Sequence, residues 1–260
     1  MSDSNRIRDA VLGARSEGRA CLASYWPAGY PSPREDDRFL AEAARADILE
    51  VGIPFSDPAA DGPVLQAASA QAIAAGATVE QALRRIRDLR RTRPDLPIAV
   101  MTYANLVHRN GWESFAARAA EAGVDGLILP DVPVDESGPV RHALRDAGLA
   151  WIPVVSPRSD ATRIRAAAQD ATGFLYLAAN IGLTGQAGLA DSAVATVRRV
   201  RSVIPAAPLL VGFGVRTRQD VQRLRAAGAD GAIVGSALVE EAPRGAAAVG
   251  ALVQQLRGAP

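Results

Sequence analysis

Short apolar runs alternate with longer amphipathic segments along the chain. The runs are rich in Val, Ile and Leu on both faces, as expected of parallel strands that are covered on both sides. The segments between them repeat apolar residues every three or four positions, which is the spacing of a helix with one buried face. We therefore predict eight strands, at residues 21–26, 46–53, 98–103, 126–129, 150–155, 173–178, 209–212 and 232–234.

Capping residues mark where several helices begin and end. The segment Ser32-Pro33-Arg34-Glu35 has the form of a capping box with proline at the first helical position, and residues 78–81 form a second such box. A recurrent Ala-Gly phrase, at residues 121–126, 146–150 and 226–231, places glycine where a helix ends and a strand follows. These signals indicate a repeated β-α unit.

Eight strands with intervening helices in 260 residues predict a (β/α)8 TIM barrel, formed by residues 1–260 as a single α/β domain. An extra amphipathic helix, with Ile7 and Val11 on its apolar side, precedes the first strand. Residues 64–75 are predicted as an insertion helix after the second strand. A doubly wound open sheet is the competing architecture.

Composition excludes several kinds of chemistry. All 29 basic residues are arginine, so the chain has no lysine for a Schiff base, for covalent pyridoxal phosphate or for a Walker motif. A net charge of +1 gives no reason to expect nucleic acid or a membrane surface as a partner. One cysteine and two histidines do not suggest a zinc site, and we predict no metal. Without an apolar leader or span, the expected location is the cytoplasm.

The stretch from residue 48 to residue 63 carries the most unusual carboxylates. Glu50 lies in an apolar strand, where a carboxylate is costly unless it is paired or functional. Asp61 follows in a loop stiffened by prolines, at the expected mouth of the barrel. Both residues are candidates for acid–base chemistry. The alternatives are that Glu50 pairs with a core arginine and that Asp61 only shapes a turn.

Glycines follow the last three predicted strands. They occur at residues 182–185, 212–214 and 235–236. Glycines after strands seven and eight, near the start of a helix, are typical of a phosphate site in this fold, since backbone N–H groups supply the donors. The sequence therefore predicts a phosphate-bearing substrate.

Residues 50–63, EVGIPFSDPAADGP, closely resemble the signature of the tryptophan synthase alpha subunit family. The likeness spans roughly residues 21–239. Its further motifs, in order, are Tyr103-Ala-Asn105, Asp131-Val-Pro133, Leu183-Thr-Gly185, Gly212-Phe-Gly214 and Gly235-Ser236. It implies a (β/α)8 barrel that cleaves indole-3-glycerol phosphate to indole and glyceraldehyde 3-phosphate. It also implies a beta-subunit partner in an alpha-beta-beta-alpha complex, with pyridoxal phosphate in that partner and no cofactor in this chain.

The resemblance also implies residue roles. Glu50 is the general acid/base, and Asp61 holds the indole N–H and stabilises the indoleninium. The implied substrate contacts are Tyr25, Met101, Ile128, Phe213 and Ile233 around the indole, Tyr176 near Glu50, Thr184 on the loop after strand six, and Gly185, Gly214, Gly235 and Ser236 at the phosphate. The implied partner surface comprises Pro54, Asp57 and the segment 103–110, with Asn105 and Asn110.

Three positions depart from the family pattern. Tyr30 stands where many members have Asp, Tyr25 where Phe is frequent, and Asn180 in a loop where many members have Ser and Arg. These departures leave two alternative functions open. One is a standalone indole-3-glycerol phosphate lyase in specialised metabolism, and the other is a catalytically idle regulatory or binding subunit.

Overall fold

The structure is a computed structural model, and it describes residues 5–178, 191–212 and 214–258. Within these residues, parallel strands alternate with helices. The strands are β1 (Cys21–Pro27), β2 (Ile48–Gly52), β3 (Ile98–Met101), β4 (Gly126–Ile128), β5 (Ala150–Trp151), β6 (Val154–Val155), β7 (Leu175–Ala178), β8 (Leu209–Gly212) and β9 (Gly231–Val234). The helices are α1 (Arg6–Ser16), α2 (Asp36–Ala43), α3 (Pro63–Ala74), α4 (Val79–Thr92), α5 (Ala104–Asn110), α6 (Trp112–Ala122), α7 (Gly138–Asp146), α8 (Ala161–Asp170), α9 (Asp191–Val203), α10 (Arg218–Ala226), α11 (Ser236–Glu241) and α12 (Ala246–Arg257).

The sheet closes into a barrel through one interrupted strand. Its order is β5-β4-β3-β2-β1-β9-β8-β7-β6, so the two outermost strands are neighbours in the chain. Ile152 donates its N–H to the Leu127 carbonyl at 3.1 Å, and Tyr176 donates its N–H to the Pro153 carbonyl at 3.0 Å. The predicted TIM barrel is confirmed. Its fifth strand, expected to be continuous over 150–155, is divided at Pro153 because proline has no N–H for the ladder.

Among the predicted helices, the second differs most from the structure. The insertion helix begins and ends one residue earlier than expected, as α3. The capping box predicted at residues 32–35 is wrong, because Ser32 instead accepts the N–H groups of Glu35 and Asp36 in a turn. Helix α2 then begins at Asp36, and the Glu35 carboxylate accepts the Ser32 hydroxyl at 3.1 Å rather than a backbone N–H. A local pattern that fits a cap also fits this turn.

A repeated hydrogen bond fastens the amino-terminal rim of the barrel. A polar side chain just before every second strand of the barrel accepts the backbone N–H near the start of the neighbouring strand. The pairs are Asp47 with Leu22, Asp125 with Ile98, Thr172 with Trp151 and Asp230 with Leu209, at 2.8–2.9 Å. The bond therefore marks each β-α-β-α quarter of the fold.

Arginines complete this rim. Each of the three aspartates pairs with two of them at 2.6–2.8 Å: Asp47 with Arg19 and Arg257, Asp125 with Arg6 and Arg90, and Asp230 with Arg15 and Arg201. Arg90 and Arg201 also donate to the carbonyls of Gly123 and Gly228, each at 2.7 Å. A Cβ at either glycine would lie about 3 Å from the arginine side chain, which explains part of the recurrent Ala-Gly phrase.

Candidate active site

Glu50 lies in the interior of the barrel. It is in β2, in register with Tyr25 of β1 and Ala99 of β3, and is 1% exposed. Its charge also raises the pKa of Tyr176, which is on β7, four strands away in the sheet. Only the inside of a closed barrel is near both tyrosines. The prediction that Glu50 faces inward is therefore consistent with the geometry.

The Glu50 carboxyl is buried without an ionic partner. No arginine among the described residues forms an ion pair with it, and its Oε1 has no hydrogen-bond partner in that part of the chain. Burial, with a smaller contribution from the negative charge of Asp61, raises the pKa of Glu50 to about 8. At neutral pH the environment therefore favours the protonated carboxyl, which is the form that donates a proton.

Asp61 is in the loop between β2 and α3, and its side chain is half-buried. Its backbone closes a turn, because its N–H donates to the Pro58 carbonyl at 3.0 Å. Its side chain faces the cavity of the barrel. Burial raises the pKa of Asp61 to about 6, and a hydrogen bond from Tyr103 opposes this rise. Asp61 thus shapes a turn and also presents its carboxylate to the cavity.

One cavity brings most of the predicted substrate contacts together. It is lined by Tyr25, Asp61, Met101, Tyr176, Gly214, Ile233, Gly235 and Ser236, with Leu65, Val215, Arg216 and Ala237. An adjoining lobe shares Met101 and Tyr176 and adds Ile128. The predicted contacts Thr184, Gly185 and Phe213, and the departure at Asn180, lie outside the described residues. The cavity combines an apolar side, the carboxyl group of Asp61 and a glycine-rich side.

A family model described as Tryptophan synthase alpha chain matches residues 12–257 of this chain. The chain belongs to the tryptophan synthase alpha chain family. The Tryptophan synthase alpha chain of Halorhodospira halophila is 43% identical over 241 residues, covering 90% of this chain and 86% of that protein. The protein of the same name from Rhizorhabdus wittichii is 41% identical over 250 residues, covering 94% and 91%. The crystal structure of the alpha chain from Legionella pneumophila matches with a TM-score of 0.87 and 33% identity, covering 98% and 96%.

Family membership identifies the chemistry of the chain. Tryptophan synthase alpha chains are lyases that cleave indole-3-glycerol phosphate, and this chain is a lyase of that family in tryptophan biosynthesis. The predicted family and enzyme class are therefore confirmed.

Two tyrosines of this alpha chain each cover a glycine on the neighbouring strand. A Cβ at Gly52 would lie 2.1 Å from the Tyr25 hydroxyl, and one at Gly212 would lie 2.2 Å from that of Tyr176. Any larger residue at either glycine would push a phenol into the cavity. Burial raises the pKa of both phenols, and the charges of Glu50 and Asp61 raise it further. Both hydroxyls therefore stay protonated beside the carboxyl pair.

Tyr103 is a site residue whose role the sequence did not settle. Its hydroxyl accepts the Ala60 N–H at 3.1 Å and bonds to Asp61. The only signal in the sequence was its place at the end of the third predicted strand, where packing was an equal explanation. Asp131, at the corresponding place after β4, instead accepts the Ala104 N–H at 3.0 Å and so holds the start of α5.

Arg216 is a second residue that the sequence did not identify. It lines the cavity beside Gly214 and forms an ion pair with Glu240. The sequence feature that could have identified Arg216 is its position two residues after the Gly-Phe-Gly motif. Among the described residues, no group of three or more His, Cys, Asp or Glu side chains is arranged to hold a metal ion.

The predicted partner residues lie on two adjoining segments. Asp57 and Asn105 are exposed, whereas Pro54 and Asn110 are half-buried. The segments meet where Phe55 stacks on Tyr103, with ring centroids 5.1 Å apart. Asn110 also has an internal role, because its Nδ2 donates to the Leu106 carbonyl at 2.8 Å near the end of α5.

Proposed function

We propose that Glu50 and Asp61 carry the cleavage of indole-3-glycerol phosphate to indole and glyceraldehyde 3-phosphate. The observation that supports this most is a buried carboxyl, with one oxygen unpartnered among the described residues, within the electrostatic reach of a second carboxyl that lines the cavity. Unpaired buried carboxyls are costly, and such groups are concentrated at functional sites.

The reaction needs one proton delivered and one removed. Glu50, protonated at the start, gives its proton to C3 of the indole ring and becomes a carboxylate. As the bond between C3 and the glycerol carbon breaks, that carboxylate takes the proton from the adjacent hydroxyl, which becomes the aldehyde of glyceraldehyde 3-phosphate. Glu50 ends protonated again, and the proton count balances without a cofactor in this chain.

Asp61 has the complementary role in this proposal. Protonation at C3 leaves a positive charge on the indole nitrogen, and an ionised carboxylate that accepts the N–H stabilises that charge. Asp61, with the lower pKa of about 6, is the member of the pair that is ionised at neutral pH. Different environments thus give two carboxyls two different roles.

The cavity suggests how the substrate lies. Met101, Ile128 and Ile233 supply the apolar slot for the indole. Gly214, Gly235 and Ser236 supply backbone and hydroxyl donors for the phosphate. Gly235 lies close to Tyr25, so a Cβ there would be 3.1 Å from the Tyr25 Cδ1. A small residue keeps this side of the cavity open to the anion.

The family also suggests a partner and a location. We propose that Pro54, Asp57, Asn105 and the end of α5 at Asn110 meet a tryptophan synthase beta subunit, which would hold pyridoxal phosphate and consume the indole. The exposure of Asp57 and Asn105 is compatible with this surface. The enzyme is proposed to work in the cytoplasm. No observation favours a standalone or a catalytically idle form.

The test is the release of indole from indole-3-glycerol phosphate by the purified chain. Glu50→Gln keeps the size of the side chain and removes the transferable proton, so kcat is expected to fall by about 10² or more. Glu113→Gln, at an exposed position at the start of α6, is the matched control and should leave turnover unchanged. Turnover by Glu50→Gln equal to that of the control would remove Glu50 from the mechanism.

A further inference from the structure

Tyr103 connects Asp61 to the outer part of its loop. The Tyr103 side chain is buried, and its hydroxyl bonds to both the Ala60 N–H and the Asp61 carboxylate. One face of its ring lies on Phe55, with a centroid distance of 5.1 Å and an angle of 22° between the planes. This distance and angle are those of a stacked aromatic pair.

The orientation of the Asp61 carboxylate depends on that hydroxyl. Among residues 5–178, 191–212 and 214–258, Tyr103 is the only side chain whose hydrogen bond lowers the pKa of Asp61, and the same hydroxyl accepts the N–H of Ala60, the residue just before Asp61. The remaining contacts of Asp61 are through its backbone, to the Pro58 carbonyl and from Gln66 Nε2 at 3.0 Å. The backbone contacts therefore fix the position of Asp61, while Tyr103 orients the Asp61 side chain.

The backbone of Tyr103 is fixed independently of its ring. Tyr103 is the N-cap residue of α5, and the next N–H, of Ala104, is held by Asp131. These contacts fix the Cα position but leave the side-chain rotation to packing. Phe55, which is half-buried, covers one ring face and supplies that packing.

We propose that Phe55 is a positioning residue for Asp61, acting through the ring of Tyr103. The proposal rests on the catalytic role proposed above for Asp61. The Phe55 ring stacks on Tyr103, and this stack holds the phenol where its hydroxyl reaches the loop at Ala60 and Asp61. If Phe55 acts only through Tyr103, substituting Phe55 should have no further effect on the kinetics once the Tyr103 hydroxyl is removed.

The experiment compares Phe55→Leu, Tyr103→Phe and the double variant by indole release across a pH series. Tyr103→Phe removes the hydrogen bond that lowers the pKa of Asp61, so the acid limb of the kcat/KM profile should move up by about 0.5–1 pH unit. Phe55→Leu should move the same limb in the same direction by a smaller amount, with kcat/KM near neutral pH reduced about threefold. The double variant should match Tyr103→Phe alone.

Two further variants separate positioning from folding. Phe55→Tyr retains a stacking ring and should restore the wild-type limb, whereas Phe55→Met, of similar bulk without a ring, should behave like Phe55→Leu. A shift by Phe55→Leu that persists on top of Tyr103→Phe would overturn the proposal, as would a loss of kcat with no movement of the limb. Full turnover by Asp61→Asn would instead overturn the proposed function of Asp61, which this series measures separately.

Discussion

At the amino-terminal rim of the barrel, Asp125 accepts hydrogen bonds from Arg6, Arg90 and the Ile98 N–H. Inside the barrel, Glu50 of β2 is more deeply buried, and its Oε1 has no hydrogen-bond partner in the part of the chain that the structure describes. The rim carboxylates are surrounded by donors and fasten neighbouring strands. The interior carboxyl is left uncompensated, which raises its pKa and prepares it for proton transfer. The amino-terminal rim of the barrel thus contributes mainly to stability, and the interior carries the groups for the chemistry.

Removing a rim carboxylate is the strongest way to break this comparison. Asp125→Ala removes the ionic partner of Arg90 and leaves the Ile98 N–H without its acceptor, so the free energy of unfolding should fall by about 2–4 kcal/mol. Turnover per folded molecule should be unchanged, because Asp125 is at the opposite end from the cavity. Urea unfolding and indole release measure the two effects.

The control for this variant is another aspartate–arginine pair. Asp88→Ala breaks an exposed pair with Arg91 in α4, and we expect a loss of no more than about 0.5 kcal/mol. If Asp125→Ala were as mild as Asp88→Ala, or if it abolished turnover while the fold stayed intact, the division between the rim and the interior would be wrong.

The sequence revealed these two regions unequally. Glu50 could be identified because a charge among Ile48, Leu49 and Val51 violates a simple local rule. Asp125 and Asp230 stand in the recurrent Ala-Gly phrase, which sequence reasoning assigned only to helix termination. Their role depends on arginines that are 119 and 215 residues away, at Arg6 and Arg15. No local periodicity contains such pairings.

Each of the other differences between expectation and structure has its own cause. The eight strands followed from apolar runs, but the break at Pro153 depends on which neighbour each half bonds to across the closure. Tyr103 could be placed at the end of a strand, whereas its bond to Asp61 depends on how the loop after β2 folds back. The turn at Ser32 shows that a capping pattern alone does not select the helix start.

The pH dependence of stability sharpens the comparison at Glu50. The pKa of this carboxyl is about 8 in the folded protein, against an ordinary value of 4.5. Between these pH values the folded protein keeps a proton that the unfolded chain releases, so the free energy of unfolding falls as the pH rises. Glu50→Gln lacks this loss. It should gain stability relative to wild type from pH 4.5 to 8, by about 2 kcal/mol or more at the upper end.

Urea unfolding of both proteins at a series of pH values checks this prediction. The difference should be smallest near pH 4.5 and should level off above pH 8. A constant difference across the series would show that Glu50 is compensated in the folded state. Glu50 would then resemble the rim aspartates in having its charge compensated by donors. Its raised pKa could then no longer explain its proposed role in proton transfer.

A smaller effect is expected at the glycine beneath Tyr25. Gly52→Ala would place a Cβ 2.1 Å from the Tyr25 hydroxyl, so the phenol must move into the cavity. Overpacking of this kind costs about 1–3 kcal/mol, and the displaced ring should also raise KM. Gly13→Ala, in α1 with no atom within 4 Å of the new Cβ, is the control and should be neutral or stabilising by up to about 1 kcal/mol. Equal behaviour of the two variants would mean that Tyr25 does not depend on Gly52.

The smallest effect concerns the hydroxyl of Tyr25, one of the departures from the family pattern. The phenol stays neutral, since burial and the charges of Asp61 and Glu50 raise its pKa. Tyr25→Phe removes the hydroxyl and keeps the ring that lines the cavity. Because the ring supplies most of the contact, we expect kcat and KM to change by less than about threefold. Steady-state kinetics with indole-3-glycerol phosphate will measure this. A loss of turnover comparable to that of Glu50→Gln would instead make the Tyr25 hydroxyl part of the proton transfer. The reaction would then depend on three titratable groups, Glu50, Asp61 and Tyr25, and not on the two carboxyls alone.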